Sequence, residues 1–139
     1  MKIAVSASDK GPDAPFEPHF GRCAYFVIYD TDAGTYVSVA NPGGTAGGGA
    51  GIQAAQAVVR GRPGVVISGS IGPNAYEVLD RAGIKCYRGS GPSSVRDSIA
   101  AYIEGSLRQL NPAGRVGAGA GTAGNRAAGK KAIRRLTED

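Results

Sequence analysis

The stretch Pro18-His19-Phe20-Gly21-Arg22-Cys23 holds the only histidine of the chain and one of its two cysteines. Imidazole and thiolate are common soft-metal ligands, and only three residues separate them here. They lie at the end of a loop, between an apolar run at Lys2 to Ser6 and a second at Ala24 to Asp30. Loops carry chemistry more often than core positions do. His19 and Cys23 are therefore candidate metal ligands, weighed against a plainer reading as a loop histidine and a small buried thiol. Enzyme readings find less support. No recognised serine-histidine-acid motif surrounds His19. A Cys23–His19 nucleophile–base pair has no orienting third group in sequence. Asp9, Asp13 and Glu17 sit in an irregular loop and nominate no catalytic carboxylate pair.

Glycine supplies the second set of candidates. The loops Asn41 to Gly51, Ser68 to Pro73 and Arg88 to Ser93 each run into a predicted helix. Backbone N–H groups and the helix dipole favour an anion at such a terminus. Glycine also lets a bulky ligand approach the backbone. Gly49-x-Gly51-x-x-Ala54 matches a dinucleotide fingerprint only formally. It follows a third strand rather than a first, and no acidic residue stands about 20 positions later to hold a ribose. No Lys-Ser/Thr follows the glycines, so a P-loop is rejected. Tight turns account for some of these glycines. Three such loops on one edge leave Gly49, Gly51, Gly72, Asn74 and Gly91 as candidate ligand contacts.

The elements that must position these residues follow from patterning. Lys2 to Ser6, Ala24 to Asp30, Tyr36 to Val39, Val65 to Ile67 and Ile84 to Tyr87 read as strands, the second and third as a hairpin. Val65-Val66-Ile67 has no polar face, as a parallel strand covered on both sides requires. Helical spacing appears at Ile52, Ala55, Val58 and Val59, and again at Ala75, Val78, Leu79 and Ala82, with Gly83 as a stop. A third stripe runs Val95, Ile99, Tyr102, Ile103, Leu107, Leu110, opened by capping-box spacing at Ser94 and Asp97 and closed by Asn111-Pro112. The order β-β-β-α-β-α-β-α implies a mixed, mainly parallel α/β sheet of five strands. Four connections, including the His19 loop, then emerge at one edge, where open α/β sheets bind ligands.

Composition sets the remaining bounds. With 139 residues and 42% hydrophobic content, one globular domain with its own core is expected. No apolar run approaches a membrane span, and no signal-peptide pattern opens the chain. Two distant cysteines fit free thiols in a reducing cytoplasm, with a Cys23–Cys86 disulfide as the alternative. The net charge of +5 is uneven: ten Lys/Arg against nine Asp/Glu up to Leu110, then six against two. Residues 1–110 are thus expected to form the α/β domain and 111–139 a basic Gly/Ala-rich, disordered tail. Nucleic acid is disfavoured as the tail's partner, because the tail has no aromatic residue to stack on bases.

Several of these residues together resemble the dinitrogenase iron–molybdenum cofactor biosynthesis family, which includes the carriers NifX and NafY and the C-terminal part of NifB. They are Lys2-Ile3-Ala4-Val5, His19-Phe20-Gly21-Arg22 before an aromatic strand, Gly49-Ala50-Gly51-Ile52-Gln53-Ala54-Ala55, Gly72-Pro73-Asn74-Ala75 before a helix, and Ala82-Gly83-Ile84. The resemblance spans roughly Met1 to Leu110. It implies a three-layer ribonuclease-H-like fold without nuclease chemistry, helices on both faces of the sheet, and no enzymatic activity. It implies binding of an iron–sulfur or iron–molybdenum cofactor precursor, with His19 as a ligand, and cofactor-assembly or acceptor proteins as partners. Roles for Cys23 and Cys86 carry over less directly. Stand-alone members of the family also occur outside nitrogen fixation, and the basic tail is no part of the family core. The competing reading is a small-anion or nucleotide-binding regulatory domain that uses the same glycine loops.

Overall fold

Strand β1, Lys2–Ala7, is buried from Ile3 onward on both of its faces and forms the middle of the sheet. The structure, a computed structural model, describes residues 1–43 and 49–111. β2 (Tyr25–Asp30) pairs antiparallel with β1, and β3 (Thr35–Ala40) antiparallel with β2. On the other side, β4 (Val65–Ser68) pairs parallel with β1 and β5 (Lys85–Arg88) parallel with β4. A short strand β6, Arg108–Gln109, closes the sheet antiparallel to β5, giving the order β3-β2-β1-β4-β5-β6.

Period-two alternation divides the strand side chains between two cores. Ala4, Phe26, Ile28, Val66 and Cys86 pack on helices α1 (Ala50–Arg60) and α2 (Pro73–Arg81), against Ala54, Ala55, Val58, Ala75 and Leu79. Ile3, Val5, Val27, Val65, Ile67 and Tyr87 pack on α3 (Val95–Ile103), against Val95, Ile99 and Ile103. Each fully buried side chain of the size of Ile67 or Leu79 contributes roughly 1.5–3 kcal/mol. The result is the expected three-layer mixed α/β fold, with two helices on one face and one on the other among the described residues.

Two expectations need correction. The sheet has six strands rather than five, because β5 is not the last. The third helical stripe also stops early: Leu107 and Leu110 lie beyond α3, which ends at Ile103. Gly105 adopts φ 76° there; its N–H donates to Tyr102 O and that of Ser106 to Ala101 O. These two bonds are a Schellman stop. The chain then turns back, so that Leu107 and Leu110 reach the two cores from the two flanks of β6. Gly83 ends α2 by the same device, as its sequence position suggested. Of the expected tail, 111–139, all but Asn111 lies outside the described residues.

Strands β1, β3, β4 and β5 all point the same way, so their following loops gather at one edge. The loop leaving β1 leads to β2, whereas that leaving β4 leads through α2 to β5. A crevice between two adjacent parallel strands with divergent connections is the usual ligand position in such sheets. No helix among the described residues is long and apolar enough to cross a membrane.

Candidate functional site

Two buried serines start the construction of the site. Ser6, next to last in β1, and Ser68, the last residue of the neighbouring β4, are both 0% exposed with their Oγ atoms 2.9 Å apart. Ser6 Oγ reaches the carbonyl of Glu17, and Ser68 Oγ lies 3.2 Å from that of Pro18. Pro18 O also accepts the N–H groups of Gly69 (2.9 Å) and Ser70 (2.8 Å), and Phe20 N–H donates to Ser70 O. The loop leaving β1 is thereby laid against the loop leaving β4, with His19 and Ser70 as a parallel bridge pair. Gly69 makes this approach possible: a Cβ there would lie 2.4–2.8 Å from Pro18 atoms.

Beyond this ridge, Phe20–Arg22 forms a single 3₁₀ turn. Phe20 is buried against Phe26, ring centroids 5.0 Å apart, and so anchors the turn in the core. Gly21 sits where a Cβ would meet Gly51 backbone at 3.4 Å, which brings the turn onto the start of α1. Asn41 ties its far side, donating to Cys23 O (2.8 Å) and Gly21 O (3.2 Å) and accepting Gly43 N–H.

On this platform the His19 side chain is 69% exposed, and Glu17 orients it. One carboxylate oxygen of Glu17, Oε2, takes both the backbone N–H of His19 (2.8 Å) and Nδ1 (2.9 Å). A carboxylate only accepts, so in the neutral ring Nδ1 carries the proton and Nε2 keeps a free lone pair. Metal-binding histidines are commonly held by a carboxylate in this way. Sequence reasoning passed over Glu17 as one acid in an irregular loop. Its spacing of two residues from His19 was the available signal. Ser6 and Ser68 were also missed; each is a polar residue closing an apolar strand just before a loop.

A cavity of about 320 Å³ opens beside His19, lined by Phe20, Gly21, the start of α1 (Gly49 to Ile52) and the start of α2 (Gly72 to Ala75). Both helices begin at a glycine with no side-chain cap and no acidic residue in the first turn. The amides of Ala50, Gly51 and Ile52, and of Asn74 and Ala75, precede the first intrahelical donors, Gln53 and Tyr76. Two uncapped positive helix ends thus converge on one space, a setting for an anion. The glycines differ in why they are there. Gly49 needs its φ of 78°, and Gly51 packs near Ala75 Cβ. Gly72 has φ −65° and no atom within 4 Å of a built Cβ, so neither strain nor packing requires a glycine there. Its bare backbone leaves the cavity mouth open.

His19, Phe20, Gly21, Gly49, Gly51, Gly72 and Asn74 are therefore brought together. Arg22, exposed, does not line the cavity. Gly91 lines a different cavity, and the helix that follows it is closed by its own capping box, Ser94 Oγ accepting Asp97 N–H at 3.1 Å. Cys23 is turned into the core at 0% exposure, its thiol donating to Phe20 O at 3.3 Å. Burial pushes that thiol up to about 12, and does the same to Cys86. Neither thiol lines the cavity beside His19. Among the described residues, no three His, Cys, Asp or Glu side chains cluster as a site for a bare metal ion. The cavity instead combines one imidazole with backbone N–H donors, a setting for an anion.

Comparison with known proteins bears on the family and the fold. The family model described as dinitrogenase iron-molybdenum cofactor matches residues 1–105. An uncharacterised protein of Methanocaldococcus jannaschii is 29% identical over 113 residues, covering 79% of this chain and 92% of that protein. The apo form of the orange protein from Desulfovibrio gigas superposes with a TM-score of 0.74 at 34% identity, over 78% of this chain and 92% of the other. A putative NifB protein from Thermotoga gives 0.70, also at 34% identity and with the same coverage.

Proposed function

This chain belongs to the dinitrogenase iron-molybdenum cofactor family, and from that premise we propose that it binds and carries a preassembled iron–sulfur cofactor precursor without transforming it. One observation carries the reading. His19, oriented by Glu17, shares a cavity with two helix N-termini that have no side-chain cap and no acidic residue in the first turn. Such clusters are anionic assemblies whose properties respond to ligands and to hydrogen bonds on sulfur. In this reading His19 Nε2 supplies the one side-chain ligand. The amides of the α1 and α2 first turns hold the anionic faces, and Gly72 leaves room at the mouth. Cys23 and Cys86 serve as core residues, and Phe20 and Gly21 hold the turn in place. Acceptor or assembly proteins would take the cargo from this exposed edge.

Anaerobic titration with an iron–sulfur cofactor precursor, followed by visible charge-transfer absorption, tests the proposal. Wild type should form a coloured stoichiometric complex, and His19→Ala should bind at least tenfold more weakly, a loss of about 1.4 kcal/mol or more. Equal binding by the two proteins would remove His19 from the site. Thermal stabilisation by nucleotides, with no response to iron–sulfur species, would favour an anion-sensing regulatory domain instead.

A further inference from the structure

A second cavity, about 660 Å³, opens on the other side of the Pro18–Ser70 ridge, and Ser70 borders both spaces. Arg88 ends β5 and Arg108 begins β6, and the two are direct register partners in the antiparallel pair. Like charges placed directly opposite on neighbouring strands repel. The fold does not relieve this pair: among the described residues, neither guanidinium has a hydrogen bond or an ion pair. Both arginines are exposed and both line the cavity, and no Asp or Glu lines it with them. Phe16 and Leu107 give it an apolar wall, and Gly89 to Gly91 form its rim. Elsewhere Arg81 meets Glu77 and Arg96 meets Asp13 in ion pairs.

Two unneutralised guanidiniums on directly opposite residues of one cavity wall can both reach the oxygens of one dianion. We propose that this cavity is a phosphate-binding site, in which Arg88 and Arg108 together hold one dianionic phosphate group. The space beside them leaves room for the organic body of a phosphate ester. Neither Glu17 nor His19 lines this cavity, and neither arginine lines the one beside His19, so the two sites can be tested separately although they share Ser70.

The test is an amide and arginine side-chain NMR titration of the full chain with inorganic phosphate. A parallel arm uses adenosine monophosphate, and sodium chloride at matched ionic strength is the control. Saturable shifts confined to Arg88 to Gly91 and Ser106 to Arg108 are expected, at least tenfold weaker in Arg88→Gln/Arg108→Gln. The tighter arm names the source, free phosphate or ester. Thermal melts give an independent readout. Without phosphate, Arg108→Gln should melt above wild type because a repulsion is removed, and phosphate should raise only the wild-type midpoint. The proposal is overturned by the absence of a saturable shift, by an equal response in the double variant, or by shifts centred on the first turns of α1 and α2. A lower melting point for Arg108→Gln, with no effect of phosphate, would also overturn it by making the pair structural.

Discussion

Gly69 and Gly72 stand three residues apart in the same loop, and substituting alanine at each should separate positioning from binding. At Gly69 the new Cβ would sit 2.4 Å from Pro18 Cβ and 2.8 Å from Pro18 O. Carbon atoms rest near 3.5–4.0 Å, so the ridge must open by roughly an ångström. Opening it strains the two N–H bonds into Pro18 O, each worth about 0.5–1.5 kcal/mol, on top of an overpacking cost of about 1–3 kcal/mol. Gly69→Ala should therefore lose about 2–3 kcal/mol, lowering the melting midpoint of a domain this size by roughly 10–20 °C. At Gly72 a methyl meets nothing. Its poorer N-cap propensity and its smaller unfolded-state entropy oppose each other, each at about 1 kcal/mol or less. Stability should stay within about 1 kcal/mol of wild type. A methyl pressed against the cargo, however, costs about 1–3 kcal/mol, or roughly 5- to 150-fold in affinity. Circular-dichroism melts and anaerobic titrations on both variants check this. A Gly72→Ala protein that melts as low as Gly69→Ala, or that binds as wild type does, would refute the reasoning.

Further expectations follow from the same contacts. Glu17→Gln keeps the shape but removes the anionic acceptor from His19 Nδ1, and cofactor affinity should fall about 10- to 100-fold with an unchanged melt. Asn41→Ala leaves Cys23 O without its 2.8 Å donor and should cost about 1–3 kcal/mol in chemical denaturation while weakening binding, because the 3₁₀ turn loosens. Cys23 and Cys86 are raised by burial from an ordinary 9.0 to about 12. Between those values the unfolded chain releases thiol protons that the folded chain keeps, so stability is full below pH 9.0 and falls as pH rises through this window. The slope is about 1.4 kcal/mol per pH unit for each thiol, and urea titrations of a Cys23→Ala/Cys86→Ala protein should show a flatter alkaline limb.

The sheet was legible because its strands obey simple alternation, and the apolar run at Val65 to Ile67 could only be a central strand. Gly83 marked the end of α2 because a small residue in the left-handed region is a physical stop. Gly105 did the same for α3, but the apolar stripe continued through Leu107 and Leu110 and masked it. Hydrophobic spacing records which residues are buried, not whether the chain has turned back to bury them. At the site, His19 and the glycines before α1 and α2 stood out by type. The convergence of those two loops, and the exclusion of Gly91 from them, depends on the Ser6–Ser68 clamp and the Gly69–Pro18 approach. These are contacts between positions more than 40 residues apart, which no local pattern encodes. Cys23 is three positions beyond Phe20, whose burial turns the thiol inward with the core.

Because His19 is the only histidine of the chain, uniform ¹⁵N-histidine labelling marks one residue. Pulsed electron paramagnetic resonance on the protein loaded with a paramagnetic iron–sulfur cofactor precursor should then show hyperfine coupling to a single directly bound histidine nitrogen, absent from His19→Ala. A loaded protein with no ¹⁵N coupling would contradict the assignment of His19 as the ligand.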